Sequence, residues 1–398
     1  MSDARLSDSD IVIVAAGRTP MGGFQGALSS ISAAELGAAA IRGVLTRASL
    51  DAGHVDEVLM GNVLSAGVGQ APARQAALGA GLPDTVPCTT VGKVCGSGMK
   101  AVMLAHDQIL AGSSEVVVAG GMESMSNAPY FLPKARQGMR LGHGDIKDHM
   151  FFDGLEDAYT GRAMGSFAQA TADSRGITRE AMDAYAVESL QRAITAINEG
   201  FFRPEIDALS VSSRGGDTLV EHDEQPGKAT PEKIPLLKPA FAAGGSITAA
   251  NASSISDGAA ALLLMSAAKA RALGVTPMAR IVAHATHAGA PGEFTTAPVG
   301  SIRKLLQKSG WAADDVDLYE INEAFAMVTM LAMQELGLAH RTVNVNGGAC
   351  ALGHPIGASG ARILVTLLYA LQRLGKSRGV ASLCIGGGEA TSMAVELL

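Results

Sequence analysis

The sequence predicts an α/β fold made of two similar halves. Three features carry that expectation. Short continuous apolar runs, such as residues 11–16 (IVIVAA) and 115–119 (EVVVA), alternate with stretches whose apolar positions recur at helical spacing. The chain is 47% hydrophobic but only 4% aromatic, and 48 of its 398 residues are Gly. Its cores must therefore be packed with Ala, Val, Leu, Ile and Met, and its backbone must make many tight turns and close approaches. Finally, residues 55–62 (VDEVLMGN) resemble 316–323 (VDLYEINE), 96–98 (GSG) match 358–360 (ASG), and 119–123 (AGGME) match 385–389 (IGGGE), at offsets of 261, 262 and 266. Three matches in one order at a nearly constant offset imply two halves facing each other, with a site where their loops meet.

The elements follow in order. Residues 11–16, ended by Gly17, read as a strand buried on both faces. Residues 32–48 read as a helix with Leu36, Ala40, Ile41, Val44 and Leu45 on one face. A strand and turn (55–64), a short Ala-rich helix (71–80) and a strand-like run (89–94) lead into Cys95. The helix at 98–111 carries Met99, Val102, Met103, His106, Ile109 and Leu110 on one stripe, and 115–119 is again a buried strand. This alternation predicts a mainly parallel sheet. From 122 to 246 the chain turns polar and Pro- and Gly-punctuated, reading as an inserted, mostly surface-exposed region with one amphipathic helix at 179–198. The α/β pattern then resumes. An apolar strand or helix–strand junction (257–266) precedes a strand at 279–285, a helix at 301–309, a strand at 316–321 and a helix at 323–336. A strand at 341–345, an apolar helix from about 361 and a short apolar strand before Cys384 complete the chain. The expected division is 1–121 plus 247–272 as one half, 122–246 as the insertion and 273–398 as the other half.

Composition excludes several classes. A net charge of −7 and a pI near 5.7, with no basic run, argue against a nucleic-acid partner. Four cysteines, none spaced as C-x-x-C, form neither a disulfide framework nor a zinc motif and read as free thiols in a reducing compartment. The polar start MSDARLSDSD is no presequence, and no stretch approaches a membrane span, so a cytoplasmic location is expected.

The stretch 344–360 (NVNGGACALGHPIGASG) organises the chemistry. Such a Gly-rich turn lets backbone approach a ligand while aiming one imidazole, His354, inward. Two thiols offer partners. Cys95 sits just before a helix, where unpaired N–H groups and the macrodipole favour a thiolate, with Gly96 and Gly98 leaving room for an acyl chain. Cys384 sits at a short apolar strand before three glycines. Taken singly, Cys95 is as readily a small buried hydrophobe, His354 more commonly a structural histidine and Cys384 more commonly core. Together they form a constellation. Residues 96–101 (GSGMKA) also satisfy a dinucleotide-binding pattern, but the acidic residue it needs, Glu115, stands at the wrong end of the next strand.

Residues 95–98 (CGSG), 120–126 (GGMESMS), 322–325 (NEAF), 353–360 (GHPIGASG) and 384–388 (CIGGG) resemble the motif set of the thiolase family over essentially the whole length, closest to its acetoacetyl-CoA branch. The resemblance implies two βαβαβαββ-type halves in an α/β/α/β/α layering with an inserted loop domain. It also implies reversible Claisen condensation of two acetyl-CoA to acetoacetyl-CoA and CoA. In that scheme Cys95 carries the acetyl group, His354 takes its proton and Cys384 removes the α-proton. Asn322 fixes a water at the enolate, and the N–H groups of Cys95 and Gly386 hold the acyl oxyanion. Ser253, Met164 and Phe325 fall on substrate-binding positions, and Lys228 on a phosphate contact. Coenzyme A is substrate and product, with no metal or redox cofactor, and a homodimer or homotetramer is implied. One departure stands out: Ala163-Met164-Gly165 occupies the place of the family's common His-Met-Gly. A broader 3-oxoacyl-CoA thiolase and a non-catalytic acyl-CoA binder are the alternative readings.

Overall fold

The computed structural model describes residues 6–213 and 215–398; the first five residues of the polar start lie outside them. Among the described residues, the main sheet runs in the order Leu318–Ile321, Arg378–Ile385, Glu389–Leu397, Ala279–Ala288, Ile11–Arg18, Ser256–Ser266, Val116–Ser124, Glu57–Gly61 and Cys88–Val91. The two-residue strand Gly22–Gly23 pairs beside Ser256–Ser266. Ile11–Arg18 and Ala279–Ala288 meet only through Val12 with Arg280 and Ile13 with Ala279, so the sheet is two half-sheets joined at a narrow seam.

The halves repeat one pairing scheme. Glu57–Gly61 runs parallel to Val116–Ser124, which pairs antiparallel with Ser256–Ser266 and through it with Ile11–Arg18. Leu318–Ile321 likewise runs parallel to Arg378–Ile385, which pairs antiparallel with Glu389–Leu397 and through it with Ala279–Ala288. The sequence repeat thus falls on equivalent strands.

Five layers follow from where the apolar side chains go. Successive strand residues point to opposite faces, and Ile11 and Ile13 enter one core while Val12 and Val14 enter another. The first core is the centre of the molecule. There the helices Ser97–Leu110 and Ser359–Leu374 pack between the half-sheets through Met99, Val102, Ile363 and Leu367. Helix Ala33–Ala48 covers the outer face of the first half-sheet, and Ala297–Ser309 that of the second through Ile302 and Leu305. Local chemistry starts the first outer helix: the Ser32 hydroxyl accepts from the Glu35 N–H at 3.3 Å while the Glu35 carboxylate accepts from the Ser32 N–H at 2.9 Å.

Four expectations need correction. The sheet is mixed, with parallel pairing confined to Glu57–Gly61 with each neighbour and Leu318–Ile321 with Arg378–Ile385. A strand sandwiched between two helical layers reads as a continuous apolar run whichever way its neighbours point, so the pattern is blind to direction. Residues 341–345 form no strand; His340–Thr342 is a 3₁₀ turn, followed by one isolated bridge between Val343 and Tyr319. Leu110, on the expected buried stripe, is 61% exposed because the helix ends there at the surface. The inserted segment, expected to carry one clear helix, has a second: Met164–Arg175 precedes Arg179–Asn198, whose inner face buries Met182, Tyr185 and Leu190. Its anchor is the fully buried Arg18, whose Nε donates to Glu205 at 2.6 Å and whose two terminal nitrogens donate to Asp223 at 2.6 and 2.9 Å. This planar fork ties the first strand to two turns of the insertion.

Candidate active site

The loop bearing His354 is held by a carboxylate. Glu123, at the end of strand Val116–Ser124, is fully buried and accepts from the Gly357 N–H at 2.8 Å, the Asn62 side chain at 2.7 Å and the N–H groups of Val63 and Leu64 at 3.0 and 3.1 Å. Burial nevertheless pushes its pKa up to about 7. The loop also lies directly on a glycine, since a Cβ at Gly121 would stand 2.0 Å from the Gly357 carbonyl oxygen. Gly121→Ala is therefore expected to lift the His354 loop and cost about 1–3 kcal/mol by overpacking. An unfolding midpoint equal to the parent's would show that the loop does not depend on that contact.

His354 is buried, and its Nδ1 lies 2.6 Å from Ser359 Oγ, which is 2.9 Å from the Pro355 carbonyl. When the Ser359 hydroxyl donates to that carbonyl, it accepts from His354 Nδ1–H. In that tautomer Nε2 is a bare lone pair, with no partner among the described residues. Burial, with a smaller contribution from Arg362, lowers the imidazole pKa to about 3. The stability consequence has a definite sign. Between about pH 3 and 6.5 the unfolded chain binds a proton that the folded one refuses, so this contribution is present above pH 6.5 and lost as pH falls. Glu123 acts oppositely between 4.5 and 7, which makes a difference measurement the clean test. Relative to His354→Asn, the parent should lose about 1–2 kcal/mol between pH 6.5 and 5; parallel stability curves would contradict it.

Cys95 sits in the 3₁₀ turn Val94–Gly96 ahead of helix Ser97–Leu110. Val94 has φ +44, a left-handed conformation that costs a β-branched residue free energy, and the turn is clamped by Ser97 Oγ, which donates to the Val94 carbonyl at 2.7 Å and accepts from the Lys93 N–H at 2.8 Å. The Cys95 residue is half-buried, yet burial of its sulfur pushes the thiol up to about 11, against the pull of the N–H groups of Gly386 and of Cys95 itself. The position before a helix therefore does not produce a thiolate by itself, as the sequence suggested. Nor do the glycines beside it make room for a substrate. A Cβ at Gly96 would meet Ile385 at 2.3 Å, and one at Gly98 would meet the Ala361 nitrogen at 2.9 Å, so that space is filled by the second half of the chain.

Cys384 is the penultimate residue of strand Arg378–Ile385, and its thiol is pushed up first by burial and then by the neighbouring Cys95. The Lys93 ammonium and Glu389 carboxylate form an ion pair between the two cysteine-bearing loops.

Cys95, His354 and Cys384 line one apolar cavity of about 360 Å³ together with Gly386, Ser253, Met164 and Phe325. Ala163 stands in the same wall, where the family pattern commonly has a histidine. Asn322 does not line the cavity; it is buried just before the wall residues Ala324 and Phe325, and neither of its amide atoms has a partner among the described residues. Lys228 lies in an adjoining cavity of about 310 Å³ that shares Ala249 and Ser254 with the first and also contains Lys233. Ser253 Oγ donates to the Ala324 carbonyl at 3.1 Å. Cys350 is a packed thiol raised by burial and by Glu323. The sequence reading did not single out Glu123, Ser359 or Glu323. Glu323 accepts from Tyr185, Ser189, Asn344 and the Cys350 N–H, holding the first half of the Gly-rich stretch as Glu123 holds the second. The available signal was a carboxylate next to an otherwise apolar strand in each half.

Two thiols and a free imidazole nitrogen on one apolar cavity can carry an acyl group and move protons. Comparisons with known proteins agree. The family description "Thiolase, N-terminal domain" matches residues 11–268 and "Thiolase, C-terminal domain" residues 275–397. The chain is 53% identical to an acetyl-CoA acetyltransferase of Pseudomonas aeruginosa over 96% of its own length and 98% of the relative's, and 52% identical to acetyl-CoA acetyltransferase 2 of Arabidopsis thaliana over 99% and 98%. Among solved structures, Bacillus anthracis acetyl-CoA acetyltransferase superposes with a TM-score of 0.95 at 43% identity, covering 98% of this chain and 99% of that one. The Acat5 thiolase of Ascaris suum, solved in complex with coenzyme A, gives 0.93 at 41% identity over 98% and 100%. With both family descriptions matched and half its residues shared across full-length relatives, the chain belongs to the thiolase family.

Proposed function

We propose that this chain catalyses the reversible Claisen condensation of two acetyl-CoA to acetoacetyl-CoA and CoA through an acetyl-Cys95 intermediate. The observation that carries the reading is the shared cavity of Cys95, Cys384 and the unpartnered His354 Nε2. The Cys95 sulfur attacks the thioester carbonyl of the first acetyl-CoA as its proton passes to Nε2. The N–H groups of Cys95 and Gly386, already directed at the sulfur, hold the oxyanion that forms. CoA departs with the proton of Cys384, leaving a Cys384 thiolate beside an imidazolium. Order follows from electrostatics. The two sulfurs repel as anions, so Cys384 ionises once Cys95 has become a neutral thioester. Cys384 then takes an α-proton from the second acetyl-CoA. The enolate oxygen is held by His354 Nε2–H and by a water on Asn322, whose free amide atoms suit that task. Attack on acetyl-Cys95 forms the carbon–carbon bond, and Cys95 leaves, recovering its proton from His354. No step calls for a cofactor beyond coenzyme A.

Lys228 and Lys233, in the cavity adjoining the acyl pocket, are the proposed phosphate contacts, with Ser253, Met164 and Phe325 against the pantetheine and acyl group. The proposed organisation keeps the two halves, 1–121 plus 247–272 and 273–398, around the insertion 122–246. Exposed Tyr130, Leu141, Ile146 and Tyr159 on the insertion support assembly into a homo-oligomer. Among the described residues no helix is long and apolar enough to cross a membrane, in keeping with the proposed cytoplasmic location. Ala163 leaves the wall without the family's usual imidazole and favours, as a second reading, acceptance of longer 3-oxoacyl chains. Mixing with acetyl-CoA should add one acetyl group to the peptide containing Cys95, and steady-state rates should be higher with acetoacetyl-CoA than with a longer 3-oxoacyl-CoA. No adduct would favour a non-catalytic binder, and the reverse preference would favour the broader thiolase.

A further inference from the structure

A second cluster of chemistry-bearing side chains lies away from the acyl cavity. Helix Ser97–Leu110, whose first turn follows Cys95, carries His106 and Asp107 near its far end, and strand Ala279–Ala288 of the other half brings His284 against them. His106 Nδ1 is 3.0 Å and His284 Nε2 2.9 Å from the same carboxylate oxygen, Asp107 Oδ1, and the three atoms lie within 4.8 Å of one another. The two rings stand edge to face with centroids 5.0 Å apart. Both histidines are half-buried and the carboxylate is exposed, so an ion has a path from solvent. None of the three lines the cavity of Cys95. Lys308 is engaged at the His284 carbonyl, 3.1 Å away, rather than at the ring nitrogen.

We infer that His106, Asp107 and His284 form a binding site for one divalent transition-metal ion of the zinc class, which staples the nucleophile-bearing helix of one half to the sheet of the other. The spacing is close to what a metal needs. Ligand atoms about 2.1 Å from an ion sit about 3.0 Å apart at right angles and about 3.4 Å apart in the tetrahedral arrangement of zinc, so each imidazole nitrogen, now at hydrogen-bond distance from the shared oxygen, has at most a few tenths of an ångström to open. A carboxylate that only accepted hydrogen bonds from two imidazoles could spread them over both oxygens. Here both converge on one point. Two imidazoles and one carboxylate are a nitrogen and oxygen donor set that suits Zn²⁺, Co²⁺ and Ni²⁺ and leaves further positions for water. The helix and the strand are both built into the central core, so the ligands are carried on rigid elements. Binding to the folded chain alone raises its stability by mass action and touches no step at the acyl cavity.

The test uses the full-length chain stripped with a chelator and titrated with Co²⁺. The expected result is one ion per chain with weak visible d–d absorption and no intense near-ultraviolet thiolate band, displaced by Zn²⁺, and a higher thermal midpoint with Zn²⁺ present. His284→Ala should weaken binding by about tenfold or more and abolish the Zn²⁺-dependent midpoint shift, while turnover of acetoacetyl-CoA stays at the parent level and reports an intact fold. The near-isosteric Asp107→Asn should do the same and covers the case in which His284→Ala fails to fold. Unchanged Co²⁺ binding in both variants, a thiolate band placing the ion on the cysteines, or no binding by the parent chain would overturn the assignment.

Discussion

Cys384→Ser is expected to accept one acetyl group onto Cys95, release one CoA and then stop, whereas Cys95→Ser should never acylate. Both variants should lose steady-state condensation by about 10⁴-fold or more, because each removes a group through which every turnover of the proposed cycle passes. The distinction lies in the half-reaction. Cys95 is the sulfur near the Gly386 and Cys95 N–H groups, so only there can an acyl oxyanion be held as it forms. Cys384 is deeply buried at a strand end, has no such donors beyond its own N–H, and meets the Cys95 charge as a repulsion. It is suited to carrying a proton after the repulsion has been removed by acylation. CoA release measured with a single pulse of acetyl-CoA separates the roles. If the two variants release CoA equally poorly, the division of labour is wrong.

His354→Ala carries the second large effect. Loss of the only free base nitrogen that the described residues bring to the cavity should lower kcat/KM by about 10²–10⁴-fold and slow both acylation and condensation, since in the proposed cycle the same Nε2 takes the Cys95 proton and later holds the enolate. The pH profile of the parent adds a sharper check. With the imidazole pKa lowered to about 3, the base stays neutral through the range in which an ordinary histidine would protonate. Acylation should therefore show no acid limb near pH 6.5, and a limb there would mean that the free enzyme holds His354 in a far wetter environment than its burial indicates.

Much of this chemistry was legible before any fold was in hand. Cys95, His354 and Cys384 stand out because a thiol before a helix, an imidazole in a Gly-rich turn and a thiol before three glycines are local signals, each written within a few neighbouring residues. The helix at 179–198 was legible for the same reason, as were most strands of both halves. The internal repeat located the pairing of equivalent strands without revealing their direction, because an apolar run sandwiched between helical layers looks the same in either sense. Leu110 was misplaced since helical spacing says which residues share a face but not where a helix runs out into solvent. Residues 341–345 failed as a strand because a short run of β-branched residues, here Thr342, Val343 and Val345, also occurs in buried turns.

The sequence alone determined the family, the two-half plan and which groups are proposed to react, all of which rest on residue types at short spacing. Tertiary structure decided their working state. The neutral thiol of Cys95 and the neutral imidazole of His354 come from burial, which is contributed by residues hundreds of positions away. The tautomer of His354 depends on which acceptor the Ser359 proton finds, and the height of its loop depends on Glu123 and on the bare Cα of Gly121. Proton affinity follows dielectric surroundings and hydrogen-bond partners, and both exist only after the two halves have closed on each other.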